Sequence, residues 1–211
     1  MHSVFPWRLS RPKSLLEELD SVGEGMAGGS RCVFLDRDGV LCRAIVRNGK
    51  PFPPRTPEEL EVMPDAPEAC RALISEGFAL IMVTNQPDVA RGSLTLGTVD
   101  TINHRLRKQL GLISVKTCPH DDPDDCACRK PRPGMLLEAA RELNLVLADS
   151  FVIGDRWRDI EAGRRAGCRT VLIDYGYQED CRVEPDYRAK SLAEAAAWIL
   201  GAARRSQGKP E

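Results

Sequence analysis

A chain of 211 residues is long enough for one domain with a sizeable core, and 42% hydrophobic with 29% charged side chains is an ordinary globular composition. Thirty basic against 31 acidic residues leave a net charge of -1, which excludes a global attraction for nucleic acid or anionic lipid. No apolar run reaches the roughly 18 residues that span a bilayer, and the N-terminus lacks the basic-then-apolar pattern of a signal peptide. The expectation is a cytoplasmic monomer with no membrane partner.

Residues 1–31 mix prolines and glycines with one short helical pattern at 14–22, and read as a flexible leader in which Met26 is a second candidate start. From Cys32 a β-then-α alternation begins. Val33-Phe34-Leu35 has the composition of a strand buried on both faces, and it ends in two acids, Asp36 and Asp38, before Gly39. In an open α/β sheet, ligands bind at the carboxyl ends of the strands, so these acids are placed for chemistry. Two acids so spaced can share a divalent cation with a phosphate. Residues 43–64 carry five prolines and are too short for a separate domain, so they are expected to form a flap over that edge.

Asp65 reads as a helix N-cap, with Pro67 in the first turn and Ala66, Ala69, Cys70, Leu73 and Ile74 as an apolar stripe. Gly77 ends the helix. Ala79-Leu80-Ile81-Met82-Val83 is a second buried strand, running into Thr84-Asn85-Gln86. Helical patterns follow at 97–110, from Pro133 onward, after Asp155 to about Gly167, and from Leu192. Between them lie strand patterns at 114–117, 150–153 and 170–173, and the tail 205–211 reads as disordered. Such alternation gives right-handed crossovers and a three-layer α/β/α, Rossmann-like sandwich with a mainly parallel five-stranded sheet. Neither gap between the early strands has room for a folded cap, so the pocket is expected to be open.

Eight cysteines in a chain with no secretion signal call for a reducing explanation. Cys118, His120, Cys126 and Cys128 put two ligands at each end of a five-residue loop, which fits a closed tetrahedral zinc site of structural type. The acidic run at 121–125 is expected to solvate this loop. Cys128 lies two residues before Lys130, so zinc would also fix the segment that carries that cation.

Asp36 and Asp38, Thr84 and Asn85, Lys130, then Asp155 with Asp159, taken in that order and at strand ends, resemble the haloacid dehalogenase superfamily over residues 32 to about 180. The resemblance implies magnesium held by Asp36, Asp155 and a carbonyl of Asp38. It implies Asp36 as nucleophile, Asp38 as general acid and base, and Lys130 with Thr84 as phosphoryl stabilisers. Asp159 would orient Lys130 or the metal's waters. Dehalogenase members lack the second acid, so Asp38 favours hydrolysis of phosphate esters.

Thr84-Asn85-Gln86, Ala90-Arg91-Gly92 and Cys128-Arg129-Lys130-Pro131 narrow the likeness to the zinc-loop phosphatases of heptose bisphosphate and of histidinol phosphate. That implies a small phosphorylated sugar as substrate, with Asn85, Arg91, Arg129 and Arg156 as contacts; a guanidinium suits a second anionic group. Three departures bear on the substrate: Leu41-Cys42-Arg43-Ala44-Ile45 replaces the Asn-containing Gly-Tyr loop, Pro87-Asp88 replaces Ser-Gly, and Arg156 stands where a lysine is usual. A nucleic-acid 3′-phosphatase is a further catalytic reading, which the neutral charge disfavours. A zinc-stapled interaction domain on an inactive fold would be expected to have lost part of the catalytic set, and none is missing.

Overall fold

The computed structural model describes residues 29–47, 50–177 and 183–206. The helical pattern at 14–22, Cys181 and residues 207–211 lie outside them. Residues 29–31 are tied to the fold: Ser30 bridges in parallel to Leu145, and the Arg31 carbonyl accepts from the Ala79 N–H at 3.1 Å.

The main sheet has six parallel strands. In chain order these are β1 (Cys32–Leu35), β4 (Ala79–Asn85), β5 (Ser114–Cys118), β6 (Phe151–Gly154), β7 (Arg169–Ile173) and β8 (Tyr187–Ala189), and in space they run β5-β4-β1-β6-β7-β8. Five are the strands expected from apolar runs. The sixth, β8, pairs Tyr187 with Val171 and Ala189 with Ile173 at the sheet edge. It corrects the expected five-stranded sheet, since Tyr-Arg-Ala has no apolar run to mark a strand.

Alternation sends side chains to two cores, one on each face of the sheet. Val33, Leu35, Leu80, Met82, Phe151 and Ile153 face one, against α1 (Ala66–Ser75), α2 (Leu96–Leu110) and α5 (Leu192–Ser206). Cys32, Phe34, Ile81, Val83 and Val152 face the other, against α3 (Gly134–Leu143) and α4 (Trp157–Ala166). The closing helix α5 thus continues to Ser206, two residues into the expected tail. Burial on both faces is why the central strands carry no polar alternation. No helix of the described residues is long and apolar enough to cross a membrane.

The proline-rich flap contains a hairpin of β2 (Ile45–Arg47) and β3 (Lys50–Phe52), in register Ile45↔Phe52. Its base is closed by Arg43 N–H to the Glu61 carbonyl at 2.8 Å and Met63 N–H to the Leu41 carbonyl at 3.0 Å. Among the described residues no folded cap is inserted.

Asp65 does not cap α1 as expected. It sits at the N-cap position but with φ -89° and ψ -12°, and its side chain makes no bond to that helix. Its carboxylate instead accepts from the Ala193 N–H at 2.9 Å, at the start of α5. The free N–H groups and positive end of that helix attract a carboxylate as well as its own helix would. Asp65→Ala should therefore cost about 1 kcal/mol and lower the melting temperature by about 2–4 °C, although it leaves α1's own bonds intact. Thermal unfolding followed by circular dichroism checks this; an unchanged transition would show the contact to be without weight.

Candidate active site

Register builds the site. Leu35 pairs with Met82 on one side and Ile153 on the other, so Asp36, Thr84 and Asp155 emerge together from three adjacent strands at their carboxyl ends. The Asp36 N–H still donates to the Ile153 carbonyl at 3.0 Å. Asp159, at the third position of α4, turns back into the same space. Oxygens of Asp36, Asp155 and Asp159 lie within 4.8 Å of one another, and all three residues are buried. Gly39 has φ +87°, and a Cβ there would come within 2.2 Å of Asp155 Oδ2, so the chain after β1 can pass the acid only as glycine.

Lys130 reaches this cluster from the loop after β5 and is itself buried. Its Nζ donates to Asp36 Oδ1 at 2.8 Å and the Val83 carbonyl at 2.8 Å, and meets Asp159 Oδ1 at 2.6 Å. Burial works against its charge, but Asp159 and Asp36 outweigh it and raise its pKa above the ordinary lysine value. One ammonium does not balance three carboxylates. Burial first, and Asp159 and Asp38 in addition, push the Asp36 carboxyl upward against the pull of Lys130. Asp155 is pushed up too, by burial and then by Asp36 and Asp159, and its Oδ1 is buried with no hydrogen-bond partner. Surplus buried negative charge with an orphaned oxygen is a donor set that fits a divalent cation.

Asp38 lies at the floor of the cleft with both oxygens engaged. Arg37 donates Nε to Oδ1 and Nη2 to Oδ2, each at 3.0 Å, and Gln86 Nε2 donates to Oδ2 at 2.8 Å. Gln86 Nε2 also donates to Thr84 Oγ1 at 2.8 Å, leaving the threonine hydroxyl proton for another acceptor. Asn85 clips the backbone of Lys130: Nδ2 donates to its carbonyl at 3.0 Å, and Oδ1 accepts its N–H at 3.1 Å. Asn85 still lines the cleft, yet both ends of its amide hold Lys130 in place.

The cleft has a volume of about 350 Å³, with Phe52 and Pro53 of the flap on one side and Arg91, Arg129, Arg156 and Arg158 around the rim. The acidic run does more than solvate its loop, as the charges opposite it dictate. Asp122 bridges Arg129 Nε at 2.7 Å and Arg158 Nη1 at 2.8 Å, and Asp121 holds Arg91 Nε at 2.6 Å. Hydrogen bonds from Arg158 and Arg129 keep the Asp122 carboxyl well below the usual carboxylate range. An anion binding at Arg129 therefore competes with a carboxylate that is already in place.

Cys118, His120, Cys126 and Cys128 converge beside this rim. Their sulfur–sulfur separations are 3.6, 3.3 and 3.4 Å, and His120 Nδ1 lies 3.7 Å from Cys118 Sγ and 3.3 Å from Cys128 Sγ. Tetrahedral zinc with bonds of about 2.0–2.3 Å has ligand–ligand edges of about 3.3–3.8 Å, so the four atoms fit one ion. All seven cysteines among the described residues are free thiols.

Several contributors were not legible as site residues. Tyr175 Oη donates to the Gly39 carbonyl at 2.9 Å, and Tyr177 hydrogen-bonds Asp155. They sit in the loop after β7, and no motif marks them. Gln86 was part of the Thr-Asn-Gln motif, but without a role. Arg37, between the two acids, gave no local signal of the carboxylate it holds.

The sequence model of the HAD-hydrolase-like family matches residues 127–195. The D-glycero-beta-D-manno-heptose-1,7-bisphosphate 7-phosphatase of Bordetella bronchiseptica is 34% identical over 151 residues, which are 69% of this chain and 82% of that one. The enzyme of the same name from Pasteurella multocida is 32% identical over 185 residues, covering 81% of this chain and 97% of its own. The solved B. bronchiseptica heptose bisphosphate phosphatase, complexed with magnesium and phosphate, superposes with a TM-score of 0.70 at 31% identity over 82% of this chain and 99% of that one. The chain belongs to the HAD-like hydrolase family. Within it, the relatives that cover most of this sequence are named as phosphatases of a heptose bisphosphate.

Proposed function

We propose that the chain is a magnesium-dependent phosphatase that removes the 7-phosphate of D-glycero-D-manno-heptose 1,7-bisphosphate. The observation that carries this reading is the convergence of Asp36, Asp155, Asp159 and Lys130 at three strand ends beneath an arginine-rimmed cleft of sugar size. The names of the relatives supply the substrate. Magnesium held by Asp36, Asp155 and the Asp38 carbonyl would neutralise the phosphate dianion that otherwise repels a carboxylate.

Asp36 attacks phosphorus, the bond to the sugar oxygen breaks, and that oxygen leaves with its electron pair and takes the proton of the Asp38 carboxylic acid. Water then attacks the aspartyl phosphate, giving its proton to the Asp38 carboxylate and releasing phosphate from Asp36. Lys130, 2.8 Å from Asp36, and the hydroxyl proton of Thr84 would hold the equatorial oxygens as they gather charge. Asp159 keeps Lys130 aimed. Arg129 and Arg156 are the groups for the second phosphate, with Arg91 further out. Zinc held by Cys118, His120, Cys126 and Cys128 stiffens the loop that delivers Arg129 and Lys130.

The test is phosphorus NMR of the heptose bisphosphate during turnover, with both anomers. The primary 7-phosphate resonance should vanish while the 1-phosphate persists; loss of the 1-phosphate, or of neither, would contradict the assignment.

A further inference from the structure

The arginine between the two acids has an unusual setting. Arg37 is fully buried, at 0% exposure, among the largest wholly enclosed side chains of the fold. Its fork meets Asp38 through two bonds of 3.0 Å, and its remaining terminal nitrogen, Nη1, donates to Asn103 Oδ1 at 3.0 Å. Asn103 is 4% exposed on the inward face of α2, where Val99, Ile102 and Leu106 are otherwise apolar. Its Nδ2 donates to Thr117 Oγ1 at 3.0 Å, and Thr117 pairs with Thr84 across the sheet. A chain of hydrogen bonds thus runs from β5 through α2 to Asp38, with Gln86 completing the grip from the side of Thr84.

Burying a guanidinium and an amide costs stability that apolar side chains of similar volume would not, so stability alone does not account for the arrangement. A bidentate fork fixes direction as well as charge. Without Asn103, one Arg37 nitrogen would face an apolar helix and the fork would be free to turn toward another acceptor.

We propose that Asn103 and Arg37 are positioning residues that hold the Asp38 carboxyl in line with the departing oxygen, so that their loss weakens proton donation to the leaving group rather than attack on phosphorus. This rests on the phosphatase reading above and extends it to a helix residue outside the cleft.

The experiment compares two substrates in wild type and Asn103→Ala. A sugar phosphate releases an alkoxide that needs a proton as it leaves, whereas p-nitrophenyl phosphate releases a stable phenolate that does not. General acid catalysis contributes about 10²–10⁴-fold, so a displaced acid should lower kcat/KM on the sugar phosphate, which reports the steps up to departure of the leaving group, by about tenfold relative to kcat/KM on the aryl ester. Asn103→Asp, which keeps the acceptor for Arg37, should restore most of the ratio. A ratio equal to that of wild type, whether both rates fall together or neither changes, would overturn the proposal. If Asn103→Ala does not fold, Thr117→Val, which frees the far end of the chain, must shift the ratio in the same direction, and an unshifted ratio is equally fatal. A wild type that hydrolyses neither substrate above an Asp36→Asn blank would defeat the phosphatase reading itself, and the positioning role with it.

Discussion

Asp36→Asn is expected to lower phosphate release by about 10⁴-fold or more, because an amide is a poor nucleophile and the neighbouring Asp38 carboxylate is already gripped by Arg37 and Gln86. The same change should leave the fold intact. Asp36, Asp155 and Asp159 share one buried ammonium, so removing a negative charge relieves repulsion while Lys130 keeps Asp159 and the Val83 carbonyl. In magnesium-free buffer the variant should melt at the same temperature as wild type or higher. The pH dependence follows from the same charges. Burial raises the Asp36 carboxyl in the folded protein, so its contribution to stability is present at low pH. It is lost as the pH climbs from the unfolded value of about 3.9 through the folded one. Asp155 is raised in the same direction, so the slope persists, reduced, in the variant. Melting curves between pH 5 and 8 check the sign, and a wild type that gains stability across this window through these groups would contradict it.

The second large effect is expected from removing zinc. A closed structural site contributes about 10–16 kcal/mol of metal binding in small zinc domains, comparable with the whole stability of an ordinary fold. Here zinc held by the four side chains would also anchor the loop whose Asp122 ties Arg129 to Arg158 and whose end carries Lys130. Chelation, or Cys128→Ser, should lower the melting temperature by more than about 10 °C and abolish activity, with zinc restoring the chelated protein where magnesium does not. Metal analysis of protein purified without chelator should find one zinc per chain. A chain free of zinc that melts normally would remove the structural metal from the account.

What was legible in the sequence is what depends on neighbours along the chain. Val33-Phe34-Leu35 and Ala79-Leu80-Ile81-Met82-Val83 announce buried strands because both faces of those strands are covered. The acids at their ends could be placed because strand ends in such a sheet share one edge. The cysteine cluster was legible from spacing. What was hidden depends on tertiary contact. Asp65 looks like a cap for the helix beside it, yet it serves a helix 128 residues further on. Asp121 and Asp122 look like solvated loop acids until the fold brings Arg91, Arg129 and Arg158 against them. Asn103 reads as one polar interruption in an apolar stripe, and only the buried Arg37 gives it a purpose. The edge strand β8 hides for a different reason: packed on one side only, it needs no apolar run.

The most direct measurement is the initial rate of phosphate release with magnesium from both anomers of the heptose bisphosphate, histidinol phosphate and a 3′-phosphorylated oligonucleotide, with Asp36→Asn as blank. Rapid release is expected from one heptose anomer and little from the other substrates. Release confined to histidinol phosphate or the oligonucleotide, or no release above the blank from any of them, would contradict it.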